Sequence, residues 1–419
     1  MTSPFGESGG SVLGHPPSRP SVIQPVSAGF LVGVVGYAST FAIVLKGLEA
    51  VGASREQAAS GLLALLLVKG LLAIGLGFRT RMPISIAWSS PGAALLIATA
   101  MPAGGFPVAV GAFLVSAALI VSAGLWPPFG RAVAQIPAGL ANAMLAGILF
   151  GLCTAPVKAV AAMPVLALPT ILVWALALRF ARPYAVPLAV VMTGAIVALA
   201  TPLPPDALAD IRPSFVFVPP AFTIDGVVGI AAPLFIVTMA SQNVPGLAVL
   251  GAHGYRPAVA PLFVATGVAS GVAALFGGHA VNLAAITAAL CAGPEAHPDP
   301  ARRWVASVTA GATYVGLGLF ASFAAAFVAA SPPLLIESVA GLALLGSLGG
   351  ALGAALAHED ERLPAMVTFV TAASGTAFFG IGSAFWGLVA GGLLLLAARL
   401  GRLHLRAISE TQRADGTNP

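Results

Sequence analysis

The stretch Met82-Pro-Ile-Ser-Ile-Ala-Trp-Ser-Ser-Pro-Gly92 begins an apolar run long enough to enter a membrane, yet it is built wrongly for a continuous helix. β-branched and aromatic residues come first, and these favour extended backbone. Ser-Ser-Pro-Gly follows, then the helix formers Ala93-Ala-Leu-Leu96. Ser90 reads as an N-cap and Pro91 as a first helical residue, since a hydroxyl accepts an orphan N–H and proline has none to lose there. The reading is a short strand and then a half-helix starting near Ser90. A second stretch, Phe276-Gly-Gly-His-Ala-Val-Asn282 before Leu283-Ala-Ala-Ile-Thr287, reads the same way, with Asn282 as the cap. Irregular backbone survives at membrane depth only where it is buried in protein or lines a wet cavity. Two half-helix N-termini meeting there present unpaired N–H groups and positive dipole ends, which suit an anion such as a carboxylate. A pair of merely kinked helices is the competing reading.

Composition explains why a membrane is in question. Of 419 residues, 58% are hydrophobic and 8% charged, against about a quarter charged in soluble chains. A soluble surface cannot be made from so few charges, and disordered chains are charged and poor in apolar groups. A polytopic membrane protein remains. The net charge of +5 is scattered and reads as loop bias, not a nucleic-acid patch. Cys153 and Cys291 lie in apolar surroundings without metal-ligand spacing, so neither a disulfide nor a metal site is expected. No phosphate loop, cofactor motif or catalytic constellation is present, which argues against an ATP-driven pump and against a membrane-embedded enzyme. Residues 1–20 read as a disordered cytoplasmic tail without the apolar core of a signal peptide, and 404–419 as a polar tail.

Fourteen apolar segments can be read between these tails: 24–48, 57–78, 83–101, 106–125, 136–153, 162–180 and 184–201, then 226–250, 258–277, 279–292, 304–330, 333–356, 364–380 and 383–403. The third and tenth are the short, broken ones. With an even count, 14 of the 19 Lys and Arg fall on the side that holds both tails. Three, Arg55, Lys158 and Arg212, fall opposite, and Lys46 and Lys69 lie within segments. That split predicts cytoplasmic termini. The chain also repeats weakly: Lys46-Gly-Leu-Glu-Ala-Val-Gly-Ala53 resembles Pro245-Gly-Leu-Ala-Val-Leu-Gly-Ala252, and Ser89-Ser-Pro-Gly-Ala-Ala-Leu95 aligns with Ala280-Val-Asn-Leu-Ala-Ala-Ile286. Seven segments per repeat is odd, so the second copy is inverted, and inverted repeats with paired broken helices point to a secondary transporter.

Other intramembrane polar groups are candidates. Thr238-Met-Ala-Ser-Gln-Asn-Val-Pro-Gly246 interrupts the eighth segment. Gln242 and Asn243 either contact substrate or order the broken helices, and interhelical glue is the bland alternative. Tyr37 and Phe41 are candidates for ring contact, against ordinary packing. Lys69, mid-segment, either pairs with a carboxylate, sits neutral or snorkels. His279, beside the second break, either carries a coupling proton or is a structural histidine. Glu337 is a further proton candidate, or interfacial. The loop Gly293-Pro-Glu-Ala-His-Pro-Asp-Pro-Ala-Arg-Arg-Trp304 reads as a cytoplasmic turn and not a metal site, and His358-Glu-Asp-Glu-Arg362 as a solvated loop.

The blocks Arg81-Met-Pro-Ile-Ser-Ile-Ala-Trp-Ser-Ser-Pro-Gly-Ala-Ala-Leu95, Ala240-Ser-Gln-Asn-Val-Pro-Gly246, Phe276-Gly-Gly-His-Ala-Val-Asn-Leu-Ala-Ala-Ile-Thr287 and Cys291-Ala-Gly-Pro-Glu-Ala-His297 together resemble the bacterial benzoate membrane transport family, over about residues 20–403. The resemblance implies a proton-coupled benzoate symporter with an all-α polytopic fold of fourteen segments in a seven-plus-seven inverted repeat, as in nucleobase and sulfate-permease-type transporters, with short strands in segments 3 and 10. It implies core domains over 21–125 and 221–330, gate domains over 126–205 and 331–403, and a connecting loop over 206–220. Nucleobase relatives carry carboxylates where this chain offers Gln242 and Asn282, which suits an anionic substrate but leaves no central proton-carrying acid.

The expectation is an inner-membrane importer of an aromatic carboxylate with a proton. Ser89, Ser90, Gly92, Gln242, Asn243, His279, Ala280 and Asn282 would form the polar site, and Tyr37, Phe41 and Trp88 would meet the ring. His279, Lys69 and Glu337 are the proton-coupling candidates. No cofactor, metal or nucleic acid is expected, and a homodimer stays open. The alternatives are another organic anion or nucleobase-like ring on the same fold, or a channel-like anion conductor.

Overall fold

Proline and glycine decide where the apolar helices of this chain bend. The computed structural model describes residues 23–99, 101–134, 137–200, 212–378 and 381–414. The expected tail at 1–20 and most of the first half of the 206–220 loop lie outside these residues. Among the described residues, eight helices are long and apolar enough to cross a membrane, or nine if the bent pair Pro300–Gly318 and Ala321–Ala330 is one span. The chain is therefore a mostly helical polytopic membrane protein. Every one of the fourteen segments read from sequence contains helix, and the fourth, Phe106–Leu125, has the bounds expected of it. The shorter ones, such as Val259–Ala274 and Arg362–Ala373, do not qualify as spans by length and apolarity alone.

The breaks have local causes. The first segment is two helices, Ile23–Ala38 and Phe41–Ala50, parted at Ser39 and Thr40. The eighth runs Ile224–Ala252 with wide π turns at Val227–Ala231 and Met239–Asn243. Each π turn lies just before a proline, Pro233 or Pro245, which has no N–H to continue the ladder and a ring that crowds the carbonyl four residues back. The eleventh turns by 62° between Gly318 and Ala321.

Several expectations need correction. The helix at the thirteenth segment stops at Ala373, and Phe378 and Ile381 then form an isolated antiparallel bridge. The last helix extends from Ser383 to Ala414, into the stretch expected to be a polar tail, because its polar residues are largely helix formers. Pro127–Ala134 forms a short helix where only a loop was expected. Arg303, in the loop read as a cytoplasmic turn, is buried: its guanidinium donates to the carbonyls of Ala292, His297 and Pro298, so it closes the loop after the tenth segment.

The packing is paired. The second segment, Arg55–Thr80, lies along Trp304–Gly318 of the eleventh, and the ninth lies along the fourth. Small residues allow the first contact: a Cβ on Gly70 would stand 2.6 Å from the Gly311 carbonyl oxygen, and one on Gly311 would stand 2.6 Å from that of Gly70. The fifth segment packs on the twelfth and thirteenth. At the centre, strand β1 (Ile86–Trp88) pairs antiparallel with β2 (Val281–Leu283), with Ile86 opposite Leu283, Ala87 opposite Asn282 and Trp88 opposite Val281. Half-helices Ser90–Ile97 and Ile286–Ala292 follow the two strands. The sequence alignment of Ser89 with Ala280 is thus out of register, since it sets a half-helix start against strand residues.

Candidate functional site

Ser89 joins the two halves. Its N–H donates to the Ala280 carbonyl at 3.0 Å and its own carbonyl accepts from His279 Nε2 at 2.8 Å. Its hydroxyl accepts the Gly92 N–H at 3.0 Å and the Thr238 hydroxyl at 3.0 Å. The N-cap of the first half-helix is therefore Ser89, one residue before the Ser90 expected, because Ser90 already lies within the helix. Gly92 is closely packed: a Cβ there would stand 2.5 Å from Leu234 Cδ1 and 2.8 Å from the Ser89 hydroxyl, so a larger residue needs those side chains to shift.

The second half-helix is capped differently. Asn282 is not its cap but sits in β2 opposite Ala87, four residues before the helix begins at Ile286. Its Nδ2 donates to the Leu283 carbonyl at 2.8 Å, and its buried Oδ1 has no partner among the described residues. The loose N–H groups are met instead from the eighth segment. Asn243 Oδ1 accepts from Leu283 N–H at 2.9 Å and Gln242 Oε1 accepts from Ala285 N–H at 3.3 Å. The π turn over Met239–Asn243 brings both neighbouring amides within reach of the same break. Ser270 completes the strand, donating to the Val281 carbonyl and accepting its N–H. No reading of sequence singled out Thr238 or Ser270 for these roles; a polar residue within an apolar run was the signal for each.

A cavity of about 150 Å³ lies against this junction. Ser39, Thr40, Lys69, Trp88, Ser90 and Gln242 are among its lining residues, with Ala284, Ala285 and Tyr314. Because an N–H can only donate, the Ala285 bond turns Gln242 Oε1 away and leaves its NH₂ without a partner among the described residues. The N–H and hydroxyl of Ser90 also lack partners among the described residues. Lys69 is 1% exposed, with Nζ 3.4 Å from the Trp88 ring centroid and 3.6 Å from that of Tyr314. The Trp88 indole N–H donates to Thr40 Oγ1 at 2.8 Å, and the Thr40 hydroxyl donates on to the Gly36 carbonyl. The cavity shares Pro91, Gln242, Ala285, Ala343 and Ser347 with a larger one of about 540 Å³, which Asn142, Ser241 and Gly350 also line.

The remaining candidates lie elsewhere. Tyr37 and Phe41 stack on each other at 5.0 Å and line a separate, apolar cavity of about 510 Å³ with Val190 and Phe327. Of the three aromatic candidates only Trp88 lines the polar cavity. His279 and Ala280 are buried behind the strands. With Nε2–H donating to a carbonyl, His279 Nδ1 is left as an acceptor with no partner among the described residues, and the ring packs edge-on to Phe113. Asn243 and Ser89 are likewise supports behind the wall. Glu337 is half-buried and lines neither polar cavity.

Interrupted helices meeting at paired strands, with donors that lack partners among the residues lining a cavity there, have the form of a membrane transporter. The chain belongs to the benzoate membrane transport protein family, whose model matches residues 19–397. That family is one of membrane transporters and not of enzymes. The chain is 41% identical over 374 residues to the inner membrane protein YdcO of Escherichia coli, covering 89% of this chain and 95% of that protein. It is 32% identical over 368 residues to the benzoate membrane transport protein of Acinetobacter baylyi, covering 87% and 92%. Among solved structures, SLC26A9 superposes with a TM-score of 0.61 at 14% identity over 91% of this chain. The present chain spans 66% of that SLC26A9 chain, just under two thirds. The transmembrane domain of the cyanobacterial bicarbonate transporter BicA gives 0.55 at 16% identity, covering 90% of this chain and 98% of that one. The fold is shared with these structures.

Proposed function

We propose that the chain imports benzoate or a similar aromatic carboxylate together with a proton by alternating access. The observation that carries this reading is the set of donors without partners, Ser90 and the Gln242 NH₂, on the wall of one small cavity that Trp88 also lines. At about 150 Å³, the cavity is below the ~300–1,000 Å³ typical of pockets for drug-sized ligands, which favours a single ring. Donors on one side and an aromatic face on another suit a carboxylate attached to that ring. The family and the name of the Acinetobacter relative support the same cargo.

The architecture we infer is fourteen spans in a seven-plus-seven inverted repeat, with core domains over 21–125 and 221–330 and gate domains over 126–205 and 331–403. Support comes from the antiparallel strand pair and from the matched packing of the second segment on the eleventh and the ninth on the fourth. The distribution of Lys and Arg supports cytoplasmic termini in an inner membrane. In that orientation the 540 Å³ cavity is a cytoplasmic vestibule, so the conformation faces inward.

Uptake of radiolabelled benzoate into proteoliposomes tests the cargo, with and without an inward proton gradient. Saturable, gradient-stimulated uptake is expected. No saturable uptake would overturn the substrate, and uptake indifferent to the gradient would overturn coupling. Competition by uracil and by aliphatic acids separates other cargoes, and currents on solid-supported membranes separate a channel.

A further inference from the structure

Of the residues lining the central cavity, Lys69 alone carries a formal charge. No carboxylate lies within ion-pair distance of it among the described residues. Its surroundings hold few other titratable groups. The helices and strand packed against its own helix contribute Tyr314, whose ring it touches, and Lys46 and Glu49, which pair with each other at 3.5 Å. The helices Val259–Ala274 and Ala321–Ala330 and the strand β1 contribute none. On its own helix Arg55, Glu56 and Arg79 lie at the ends. What faces the ammonium is two ring faces, one fixed by the Trp88–Thr40 hydrogen bond. Ring faces attract a cation but offer no lone pair, so the three N–H donors of Lys69 are not consumed by them.

We propose that Lys69 is both the counter-ion of the transported carboxylate and the carrier of the coupled proton; this rests on the symport reading above. On the outer side the amine takes a proton onto Nζ, and the incoming carboxylate pairs with the ammonium at the cavity wall. The pair is neutral, which removes the cost of carrying an unpaired charge through the membrane. On the inner side the carboxylate leaves and the ammonium gives its proton to water. The neutral amine, still held between Trp88 and Tyr314, makes the return. One anion and one proton cross per cycle, with no net charge, and no carboxylate proton carrier is needed.

Two variants of the full-length protein separate these roles, each checked for a monodisperse elution profile. Lys69→Arg keeps a cation but cannot release its proton. It should still exchange internal for external benzoate, more slowly, while gradient-driven accumulation is lost, because an arginine that keeps its proton cannot make the empty return as a neutral side chain. Lys69→Gln should weaken benzoate binding, read as thermal stabilisation of the purified protein, by about tenfold or more. Accumulation by Lys69→Arg in step with its exchange would overturn the proton role, as would an arginine variant that binds benzoate yet exchanges none. Unaltered benzoate binding by Lys69→Gln would overturn the counter-ion role. The unaltered protein is run alongside: if it neither binds nor exchanges benzoate, the substrate reading itself fails, whereas normal wild-type exchange beside an unaffected glutamine variant removes only the lysine.

Discussion

Ser89 shows how one small side chain can hold together pieces that are distant in sequence. Its hydroxyl caps a half-helix and takes the Thr238 hydroxyl, and its backbone binds Ala280 and His279. Ser89→Ala loses the cap, at about 0.5–2 kcal/mol, and leaves the Thr238 donor without its buried acceptor. Thr238→Val keeps the cap and should cost less, about 0.5–1.5 kcal/mol. Thermal denaturation in detergent should rank the serine variant below the threonine one, and the reverse order would mean that the capping bond matters little. His279→Gln retains a donor for the Ser89 carbonyl. Because the His279 ring is buried behind the strands and lines neither polar cavity, the pH profile of uptake should not change. A shifted profile would return His279 to the proton path.

At the scale of the element, the tenth segment depends on the eighth. Its short helix has no side-chain cap of its own, and its entering N–H groups are taken by Asn243 and Gln242. Asn243→Ala leaves the buried Leu283 N–H unpaired, a cost of about 1–3 kcal/mol, with faster hydrogen exchange expected over Val281–Leu283. Asn243→Asp restores an acceptor but adds negative charge near the cavity. With no cation beside it among the described residues, that buried carboxylate should leave the variant no more stable than the alanine one at neutral pH and should help only once it is neutralised at low pH; full stability at neutral pH would contradict the buried placement of Asn243. Pro245→Ala returns an N–H to the ladder and favours a regular turn at Met239–Asn243, which turns Gln242 relative to the break. Uptake should fall with the melting temperature held or raised.

The whole molecule makes a different kind of prediction, because access depends on how segments pack. The central cavity shares lining residues with the larger one lined by Asn142, Ser241 and Gly350, which is the cytoplasmic vestibule of the inward-facing reading. Asn142→Cys and Ser347→Cys should react with a membrane-impermeant maleimide in inside-out vesicles and be protected in right-side-out ones. Cys153 and Cys291 are both buried, so background labelling is low. Equal labelling from both faces would contradict the inward-facing reading. Gly70→Leu drives a side chain into the Gly311 backbone and should destabilise by about 1–3 kcal/mol or more, read as a lower yield of monodisperse protein.

Much of this protein follows from sequence alone because the bilayer is a strict solvent. Scarce charge and repeated apolar runs specify a polytopic chain, and Ser-Ser-Pro-Gly stops one run with its own turn chemistry. The family is legible too, in blocks of which three sit at a break and the fourth at the loop after the tenth segment. What sequence could not decide is partnership across distance. Whether Ser89 or Ser90 caps depends on which one the strand pairing with Ala280 holds outside the helix. Asn282 resembles a cap locally, but pairing with Ala87 claims it for a strand and leaves the capping to Gln242 and Asn243. Tyr37 and Phe41 are as aromatic as Trp88, yet the bend at Ser39 and Thr40 puts them on another cavity. Lys69 reads only as a costly charge until packing sets Trp88 and Tyr314 against its amine. Local backbone preference and solvent cost are properties of the chain itself, whereas the environment of these side chains is made by residues from tens to hundreds of positions away.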